Sequence, residues 1–359
     1  MRILHCIPSM AGGGAERQLT YLAAGLRKRG DKVHVATTSR GVNWDRLLES
    51  GATAHELRTA GPHDPRLFWQ LRALIRKVDP HVVQVWLRQM DVVGGLAALV
   101  QRKPLVLAER TSIEAYPPSL KHHVRVRIGS RADAIVANSE QGAAYWRACL
   151  ADDRRLHVIP NIVPVADIAE VSPAADLPFT TARPLVLFAG RLDAEKNVET
   201  LLTALSAALV RTSFNVAFCG TGTMQARVVE WIASNGLGEH AAILGYTPAL
   251  WSVMKRAAVL VSPALFEGSP NVVLEAMAAR CPLIVSEIPG HRALLDESSA
   301  LFVDPQAPLG FASAICDVLQ APAAAEARAD AAFARTGLYD TEAIASSYQE
   351  VYRTIVDNG

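Results

Sequence analysis

The stretch Leu265–Ser286, LFEGSPNVVLEAMAARCPLIVS, contains the pattern from which the rest of the chain can be interpreted. Serine at an N-cap with proline at the first helical position is a common helix start, so Ser269 and Pro270 predict a helix that begins near Pro270. The residues that follow are almost wholly apolar, and we expect the helix to end at Cys281-Pro282, before the strand-like Leu283–Val285. This pattern predicts a helix that is buried on most sides.

One acidic residue interrupts this apolar helix. Glu275 lies in its second turn, where a buried carboxylate is costly unless another group pairs with it. Glu267 precedes the helix, with seven residues between the two, so the carboxylates bracket the free N–H groups and the partial positive charge of the helix start. Such a helix end is a ready anion site. The alternative is that Glu267 is a solvated loop acid and that Glu275 lies on a narrow wet face.

The charge of the chain is unevenly distributed. Its length of 359 residues predicts two domains, and its composition, 50% hydrophobic and 20% charged, is typical of a globular protein. Residues 1–175 contain 24 Lys and Arg against 16 Asp and Glu, a net charge of +8, whereas residues 176–359 contain 12 against 19, a net charge of −7. A basic first half favours a polyanionic partner or an anionic membrane surface, and chance variation among solvated faces explains it equally well.

Cysteines and apolar runs indicate the compartment. No Cys-x-x-Cys spacing occurs, so neither a zinc site nor a disulfide framework is indicated, and a reducing cytoplasm fits. Met1–Pro8 predicts a first strand rather than a signal peptide, and no apolar run is long enough for a transmembrane helix. We therefore expect a cytoplasmic protein whose membrane contact would be peripheral, at the inner face of the membrane.

Strands and helices alternate along the chain. Arg2–Ile7 is a predicted strand, Gly12-Gly13-Gly14 a turn and Ala15–Arg29 a helix. The alternation resumes at Leu185–Ala189, after the proline-rich segment Asn161–Pro184, which we predict to be a linker. Such alternation forms parallel sheets covered on both faces. The sequence thus predicts an α/β fold with two doubly wound, Rossmann-like domains, over residues 1–165 and 183–335, and a ligand cleft beyond the carboxyl ends of the strands.

Two loops at the predicted strand ends are suited to binding phosphate. The glycine loop Gly12-Gly13-Gly14 lacks the G-x-G-x-x-G spacing of a dinucleotide fold, and no acid follows the second strand, which disfavours a nicotinamide-dependent dehydrogenase. Arg191 and Lys196 are five residues apart after the strand Leu185–Ala189, where arginine as a fork and lysine as a point charge can converge on a diphosphate. In a doubly wound domain this loop and the Glu267 loop emerge at the same sheet edge.

Several motifs together resemble one enzyme family. They are Gly190-Arg191-Leu192 with Lys196-Asn197, Cys219-Gly220-Thr221-Gly222, and above all Phe266-Glu267-Gly268-Ser269-Pro270-Asn271 with Glu275. They resemble the retaining glycosyltransferases of family 4. This resemblance implies the GT-B fold, two Rossmann-like domains facing across a cleft, with a C-terminal helix, residues 341–359, returning to the N-terminal domain. The segment Gly12-Gly13-Gly14-Ala15-Glu16-Arg17 is similar to the bacterial branch that builds surface polysaccharides and lipid-linked oligosaccharides.

The resemblance implies a role for each matching residue. Glu275 would hold the ribose hydroxyls of a nucleotide-diphosphate sugar, and Glu267 would contact the donor sugar near the reacting carbon. The implied catalytic residues are Glu267, Arg191 and Lys196, the two cations neutralising the leaving diphosphate. The other implied donor-binding residues lie at the helix start and in two loops: Ser269, Pro270, Asn271, Val272, Gly220, Gly222 and Tyr246. Gly13, Gly14 and Arg110 would form the loop near the acceptor and the diphosphate.

The resemblance also implies the partners. They are a nucleotide sugar, with a UDP-sugar favoured over a GDP-sugar, and a glycan or polyprenyl-diphosphate-linked acceptor, without a nucleic acid and without a cofactor. No Asp-x-Asp motif occurs, which disfavours the metal-dependent architecture, so we expect no metal, and Arg191 and Lys196 would replace the cation. For Glu267, family precedent favours an orienting and electrostatic role over that of a nucleophile.

Two features of the first half bear on the substrates. Where many relatives have a histidine that contacts the donor sugar, this chain has Glu109-Arg110-Thr111, which leaves the sugar open. The predicted helix Ser119–Arg131 is dense in basic residues and would face an acceptor phosphate or an anionic membrane, or would simply be solvated. These basic residues are Lys121, His122, His123, Arg125, Arg127 and Arg131.

Two other functions remain open at this stage. A nucleotide-sugar epimerase of the same architecture would need acid/base carboxylates and histidines in its cleft, and the Arg191/Lys196 and Glu267/Glu275 pattern is not its signature. A non-catalytic nucleotide-sugar-binding protein would be expected to have lost the glutamates or the basic pair, and both are present. Histidines such as His5, His157 and His240 are expected to be packed or surface residues rather than catalytic bases.

Overall fold

The computed structural model describes residues 1–61, 64–110, 120–150, 153–179 and 183–357, and the side chains of residues 120 and 121 are outside this description. Contacts within the chain divide it into two compact units. Unit 1 comprises Met1–Ile162 and Tyr339–Gly359, and unit 2 comprises Val163–Leu338. Each unit has its own parallel sheet and its own apolar core, which confirms the prediction of two Rossmann-like α/β domains.

Unit 1 contains a seven-stranded sheet in its described part, with the spatial order β3-β2-β1-β4-β5-β6-β7 and every pairing parallel. Its strands are β1 (Arg2–Cys6), β2 (Lys32–Thr37), β3 (Thr53–Glu56), β4 (Val82–Trp86), β5 (Leu105–Glu109), β6 (Ala134–Ala137) and β7 (Leu156–Val158). The chain moves outward from β1 to β3 and then crosses to β4 on the other side of β1. The strand order therefore reverses between β1 and β4, the usual place for a ligand site.

Helices cover the sheet of unit 1. They are α1 (Gly14–Lys28), α2 (Trp44–Glu49), α3 (Arg66–Val78), α4 (Leu87–Val100), α5 (Leu120–Gly129), α6 (Glu140–Cys149) and, at the end of the chain, α15 (Thr341–Asp357). Every residue of the central strands β4 and β5 is buried, as expected for parallel strands covered on both faces. Helix α15 packs on α1, and the Gln349 side chain fixes it by donating to Asp31 at 2.8 Å and accepting from Arg29 at 3.1 Å.

Unit 2 contains a six-stranded parallel sheet in its described part, with the order β10-β9-β8-β11-β12-β13. Its strands are β8 (Leu185–Ala189), β9 (Asn215–Cys219), β10 (Ala241–Gly245), β11 (Val259–Ser262), β12 (Leu283–Ser286) and β13 (Leu301–Val303). Its helices are α7 (Val165–Glu170), α8 (Val198–Leu209), α9 (Gln225–Ser234), α10 (Leu250–Arg256), α11 (Asn271–Ala278), α12 (Pro289–Arg292), α13 (Pro308–Gln320) and α14 (Pro322–Ala334). The strand order reverses between β8 and β11, as it does between β1 and β4.

The local structure departs from the predictions in three places. The predicted linker Asn161–Pro184 contains α7, which buries Ile168 and is tied to unit 2 because Lys255 donates to the carbonyls of Ala169 and Val171. Residues 180–182 of that segment lie outside the described residues. The short elements α2, β3 and α12, of four to six residues, were not predicted because they are too short to show a period. The third departure concerns the start of α11 and is described with the site.

Candidate functional site

The loops that follow β8 and β11 meet at the strand reversal of unit 2. Lys196, at the end of a short 3₁₀ turn after β8, forms an ion pair with Glu267 in the loop after β11. Their side chains are 19% and 17% exposed, so the pair is partly desolvated and still accessible. Leu265 N–H donates to Glu195 C=O at 3.0 Å, which joins the two loops through the backbone as well. The structure therefore brings together Lys196 and Glu267, two of the three predicted catalytic residues.

Asn197 fixes the position of Lys196. Its backbone is left-handed, with φ of 58°, a conformation that asparagine tolerates better than most residues. Its side-chain amide donates to the carbonyls of Pro263, at 3.1 Å, and Pro305, at 2.7 Å. One side chain thus ties the loop after β8 to the loops after β11 and β13.

Arg191 lies in the same loop as Lys196 but has different partners. It forms ion pairs with Asp193, at 2.9 Å, and with Glu195, and its side chain is 64% exposed. Asp193 accepts from the N–H and the hydroxyl of Thr223, each at 2.8 Å, and the backbone bond is the first cause of the lowered pKa of that carboxyl. The structure thus keeps Arg191 and Lys196 in separate ion pairs. Their convergence on one diphosphate stays a prediction.

The helix that contains Glu275 is buried, as predicted. Glu275 is 2% exposed in the middle of α11, whose Val273, Leu274 and Met277 are also buried. The helix begins near Pro270, as predicted, but its cap was predicted one residue too early: Pro270 is the N-cap, Asn271 is the first helical residue and no side chain caps the helix, so Ser269 is not the cap. The extended backbone of Pro270, with ψ of 101°, ends the loop one residue later than the sequence indicated. Val272 follows in the first turn and is half-buried.

The two glycines predicted in the loop after β9 are required by backbone packing. A Cβ on Gly220 would lie 1.9 Å from the carbonyl oxygen of Gly190, and one on Gly222 would lie 2.4 Å from that of Leu192. Only glycine permits the loops after β8 and β9 to approach so closely. Tyr246, in contrast, follows the edge strand β10 and is exposed, two strands away from β8 in the sheet.

The glycine loop of unit 1 lies at the other strand reversal, after β1. Gly13 is the N-cap of α1 and Gly14 its first residue. A Cβ on Gly13 would lie 2.2 Å from Oε2 of Glu16, a buried residue whose other carboxylate oxygen accepts from the Ser9 hydroxyl at 3.0 Å. Burial raises the pKa of Glu16. No separate role was predicted for Glu16, although it is the acid in the glycine-loop segment.

Arg110, directly after β5, is held by side chains of unit 1. Its guanidinium donates to Asn161 at 2.9 Å and to the Tyr348 hydroxyl at 3.0 Å, and it lies 4.3 Å from the ring centroid of Trp86. The Trp86 N–H in turn donates to Nδ1 of His5 at 3.1 Å. Burial, and secondly Arg110, lowers the pKa of His5 to about 3, so His5 is a neutral packed residue, as expected.

The predicted basic stretch is not one continuous basic surface. Arg125 is 1% exposed and forms ion pairs with Asp91 and Glu109, both at 2.7 Å, so its inclusion was wrong. Trp146 also donates to Glu109, at 2.9 Å. His123, Arg127 and Arg131 are exposed, whereas Ser119 and the side chain of Lys121 lie outside the described residues. A lone arginine at helical spacing could not reveal its buried acidic partners, which are distant in sequence.

Two features are absent from the described residues. No group of three or more His, Cys, Asp and Glu side chains lies close enough to hold a metal ion. None of the helices in this part of the chain combines the length and the apolar character needed to cross a bilayer.

Two protein-family models match successive parts of the chain. The model described as Glycosyltransferase Family 4 matches residues 12–167, and the model described as Glycosyl transferases group 1 matches residues 174–335. The two matches join at the start of unit 2 and together span nearly the whole of both sheets.

Individual relatives agree with these models. Glycogen synthase of Mycobacterium tuberculosis is 31% identical over 204 residues, 54% of this chain and 49% of that protein, so the chain spans about half the length of the first curated relatives it matches. A Campylobacter jejuni protein named GalNAc-alpha-(1->4)-GalNAc-alpha-(1->3)-diNAcBac-PP-undecaprenol alpha-1,4-N-acetyl-D-galactosaminyltransferase is 23% identical, with 77% of each chain covered. The crystal structure of Anabaena HepE in complex with UDP-glucose superposes with a TM-score of 0.85 at 19% identity, covering 99% of this chain and 100% of that one, a likeness of fold.

Proposed function

Because the chain belongs to the two-domain glycosyltransferases of family 4, we propose that it transfers a sugar from a nucleotide-diphosphate donor to an acceptor hydroxyl. The observation that carries this proposal is the Lys196–Glu267 ion pair at the strand reversal of unit 2. A cation and a carboxylate are placed there within reach of one ligand, directly before α11 and its buried Glu275.

Lys196 and the start of α11 would stabilise the departing diphosphate. Negative charge builds on the diphosphate as the bond to the anomeric carbon breaks, and a positioned cation lowers the energy of that transition state. Lys196 can exchange Glu267 for a phosphate oxygen, since the pair is partly exposed. The N–H groups of Ser269, Asn271 and Val272 and the Arg191 guanidinium would add to this stabilisation. No metal is needed in this scheme.

We propose transfer with retention of the anomeric configuration. The acceptor hydroxyl attacks from the face that the diphosphate leaves, its oxygen forms the new glycosidic bond, and its proton passes to a diphosphate oxygen. Glu267 orients the donor sugar and stabilises its positive charge. Glu275 holds the ribose hydroxyls, whose O–H groups can donate to its carboxylate oxygens.

The donor we propose is a UDP-sugar. Support comes from the fold likeness to HepE, whose structure was determined in complex with UDP-glucose. The acceptor we propose is a glycan or a polyprenyl-diphosphate-linked glycan. The name of the Campylobacter relative describes such a lipid-linked acceptor. Gly13, Gly14 and Arg110, at the carboxyl edge of the unit 1 sheet, are the residues we assign to the acceptor and the diphosphate.

A basic surface of unit 1 would bring the enzyme to an anionic membrane. We define this surface by Arg76, Lys77, His123 and Arg127, exposed basic residues of α3 and α5; Arg66, also exposed on α3, is paired with Asp64. Neither helix contains an acidic residue, and Asp91, the acid of the intervening helix α4, is buried. Trp69, exposed on α3, is suited to the headgroup region. Charge complementarity would therefore favour a bilayer rich in anionic lipid.

A donor panel with mass spectrometry tests the proposed activity. The protein is incubated with UDP- and GDP-sugars, with and without a synthetic polyprenyl-diphosphate disaccharide and a free oligosaccharide. We expect donor consumption and a product heavier by one sugar only when an acceptor is present. Isomerised donor without acceptor would instead indicate an epimerase, and donor that is bound but unchanged under every condition would indicate a binding protein.

A further inference from the structure

A buried histidine lies beneath the loop that contains Glu267. His291, in α12, is fully buried. Its Nδ1 is 2.8 Å from the carbonyl oxygen of Ser286, and its Nε2 is 3.4 Å from the hydroxyl of Ser262. Because a carbonyl oxygen can only accept, Nδ1 carries the proton, and Nε2 of the neutral ring is left to accept from Ser262.

These contacts join the end of β12 to the start of the Glu267 loop. Ser262 is the last residue of β11, and the Ser286 hydroxyl donates to the carbonyl of Ala264 at 2.5 Å. Ser262 and Ala264 flank Pro263, the first residue of the loop that leads to Glu267. The imidazole and the Ser286 hydroxyl therefore determine how this loop leaves the sheet.

The residue before His291 contacts Glu267 itself. A Cβ on Gly290 would lie 2.3 Å from the carbonyl oxygen of Glu267 and 3.1 Å from its Cβ, so the backbone of Glu267 rests directly on Gly290. Helix α12 thus supports the loop at two points: at its start through His291, and at Glu267 through Gly290.

We propose that His291 is a positioning residue for Glu267 and sets the place of its carboxylate beside Lys196 and the donor sugar. The inference rests on the proposed function of Glu267. His291 acts through hydrogen bonds to Ser262 and Ser286 and through the packing of Gly290, because both of its ring nitrogens are engaged within the protein. Burial lowers the pKa of His291, which agrees with the neutral form that these hydrogen bonds require.

A double-mutant cycle separates this role from a contribution to stability alone. We compare His291→Leu, Glu267→Gln and the double variant in the full chain, measuring kcat, the KM for the donor, the affinity for UDP and the Tm. We expect His291→Leu to lower kcat about 10- to 100-fold, because a misplaced group loses transition-state contacts, with the UDP affinity within about twofold of wild type. In the Glu267→Gln background the same substitution should lower kcat less than about twofold.

Two further variants complete the test. His291→Asn retains a donor in place of Nδ1 and should recover most of kcat, whereas His240→Leu removes a histidine that bonds Asn215 at the opposite sheet edge and should leave kcat unchanged. If His291→Leu does not accumulate as folded protein, Ser262→Ala, which removes only the hydroxyl bound to Nε2, takes its place in the cycle. If His291→Leu, or Ser262→Ala in its place, lowered kcat by the same factor with Glu267 present and with Glu267→Gln, the inference would be overturned. Unchanged kcat in Glu267→Gln alone would instead overturn the proposed function of Glu267, and the inference with it.

Discussion

Each unit contains an ion-pair cluster of a basic side chain with carboxylates or a carboxylate, but the cluster of unit 1 is buried and the pair of unit 2 is partly exposed. In unit 1, Arg125 bridges Asp91 and Glu109, the last residue of β5, in a cluster that is at most 1% exposed. In unit 2, Lys196 and Glu267 form an ion pair that is almost one-fifth exposed, at the strand reversal. The first cluster is closed to ligands, whereas the second can exchange a partner for one.

This difference separates a structural role from a catalytic one. A fully desolvated ion pair is expensive to break, and no ligand can reach the groups that remain. A partly exposed pair keeps its cation within reach of solvent, so a diphosphate can replace its carboxylate partner. Substitutions in the two clusters should therefore affect different measurements, stability for unit 1 and turnover for unit 2.

The largest effect on stability is expected from Arg125→Met. It leaves two buried carboxylates without their cation, and the free energy of unfolding should fall by about 3–5 kcal/mol in chemical denaturation. The exposed Arg131→Met, close by in sequence, should change it by less than about 0.5 kcal/mol. Equal stability of the two variants would show that the cluster of unit 1 is not structural.

The largest effect on turnover is expected from Lys196→Ala. Loss of a cation aimed at the leaving diphosphate should lower kcat about 10²–10³-fold, with a smaller loss of stability than Arg125→Met because the pair is partly exposed. The control is Arg227→Ala, which removes a surface cation of the same unit paired with Glu199 and Glu230. A rate like that of wild type for Lys196→Ala would remove Lys196 from the mechanism.

A smaller effect concerns the pH dependence of stability. Burial is the first cause that raises the pKa of Asp91, to about 7. The carboxylate of Glu109, which shares the Arg125 guanidinium, also raises it. Between pH 4, near the ordinary pKa of aspartate, and about pH 7, Asp91 keeps its proton in the folded protein and loses it in the unfolded chain. The protonated Asp91 therefore contributes to the free energy of unfolding below pH 4, and this contribution is lost as the pH rises through 7. Through this group the free energy of unfolding falls by at most about 1.4 kcal/mol per pH unit.

Asp91→Asn tests this slope. The variant cannot titrate, so the difference in unfolding free energy between wild type and variant should change in the variant's favour from pH 4 to pH 7. A difference that stays constant across this range would show that Asp91 is ionised in the folded protein throughout.

The smallest effect is expected at the basic surface of unit 1. The double charge reversal Arg76→Glu, Lys77→Glu should weaken the free energy of binding to anionic vesicles, measured by flotation, by at least about 1 kcal/mol per residue. It should leave kcat with a free oligosaccharide unchanged. A matched reversal in unit 2, Arg211→Glu with Arg328→Glu, should leave flotation unchanged. Equal binding of wild type to anionic and zwitterionic vesicles at low salt would contradict the membrane proposal.

The fold was predictable because its strands are buried on both faces. Leu185–Ala189 is apolar throughout, Val82–Trp86 is apolar except for Gln84, and helical periods separate such runs, so a doubly wound sheet is indicated from local pattern alone. Helix α7 was missed because prolines on either side suggested a linker, although a proline just before a helix is also a common start.

The site was predictable only in part. Glu275 stood out as an acid in an apolar helix, and Lys196 and Glu267 as charges at strand ends, and the structure places the latter two in one ion pair. The partners of Arg191 and Arg125 could not be predicted, because ion pairs depend on side-chain rotamers and on residues distant in sequence. His291 has no local signal at all: its role depends on Ser262, 29 residues earlier.

The most direct test of the account is the dissociation constant of UDP for three proteins: wild type, Lys196→Ala and Glu267→Gln, measured by calorimetry. If Lys196 leaves Glu267 for the diphosphate, Lys196→Ala should weaken UDP binding at least about tenfold. Glu267→Gln should bind UDP as tightly as wild type or more tightly, because a competing carboxylate is removed. Equal weakening in both variants, or no binding of UDP to wild type, would contradict the proposal that this ion pair is the donor site.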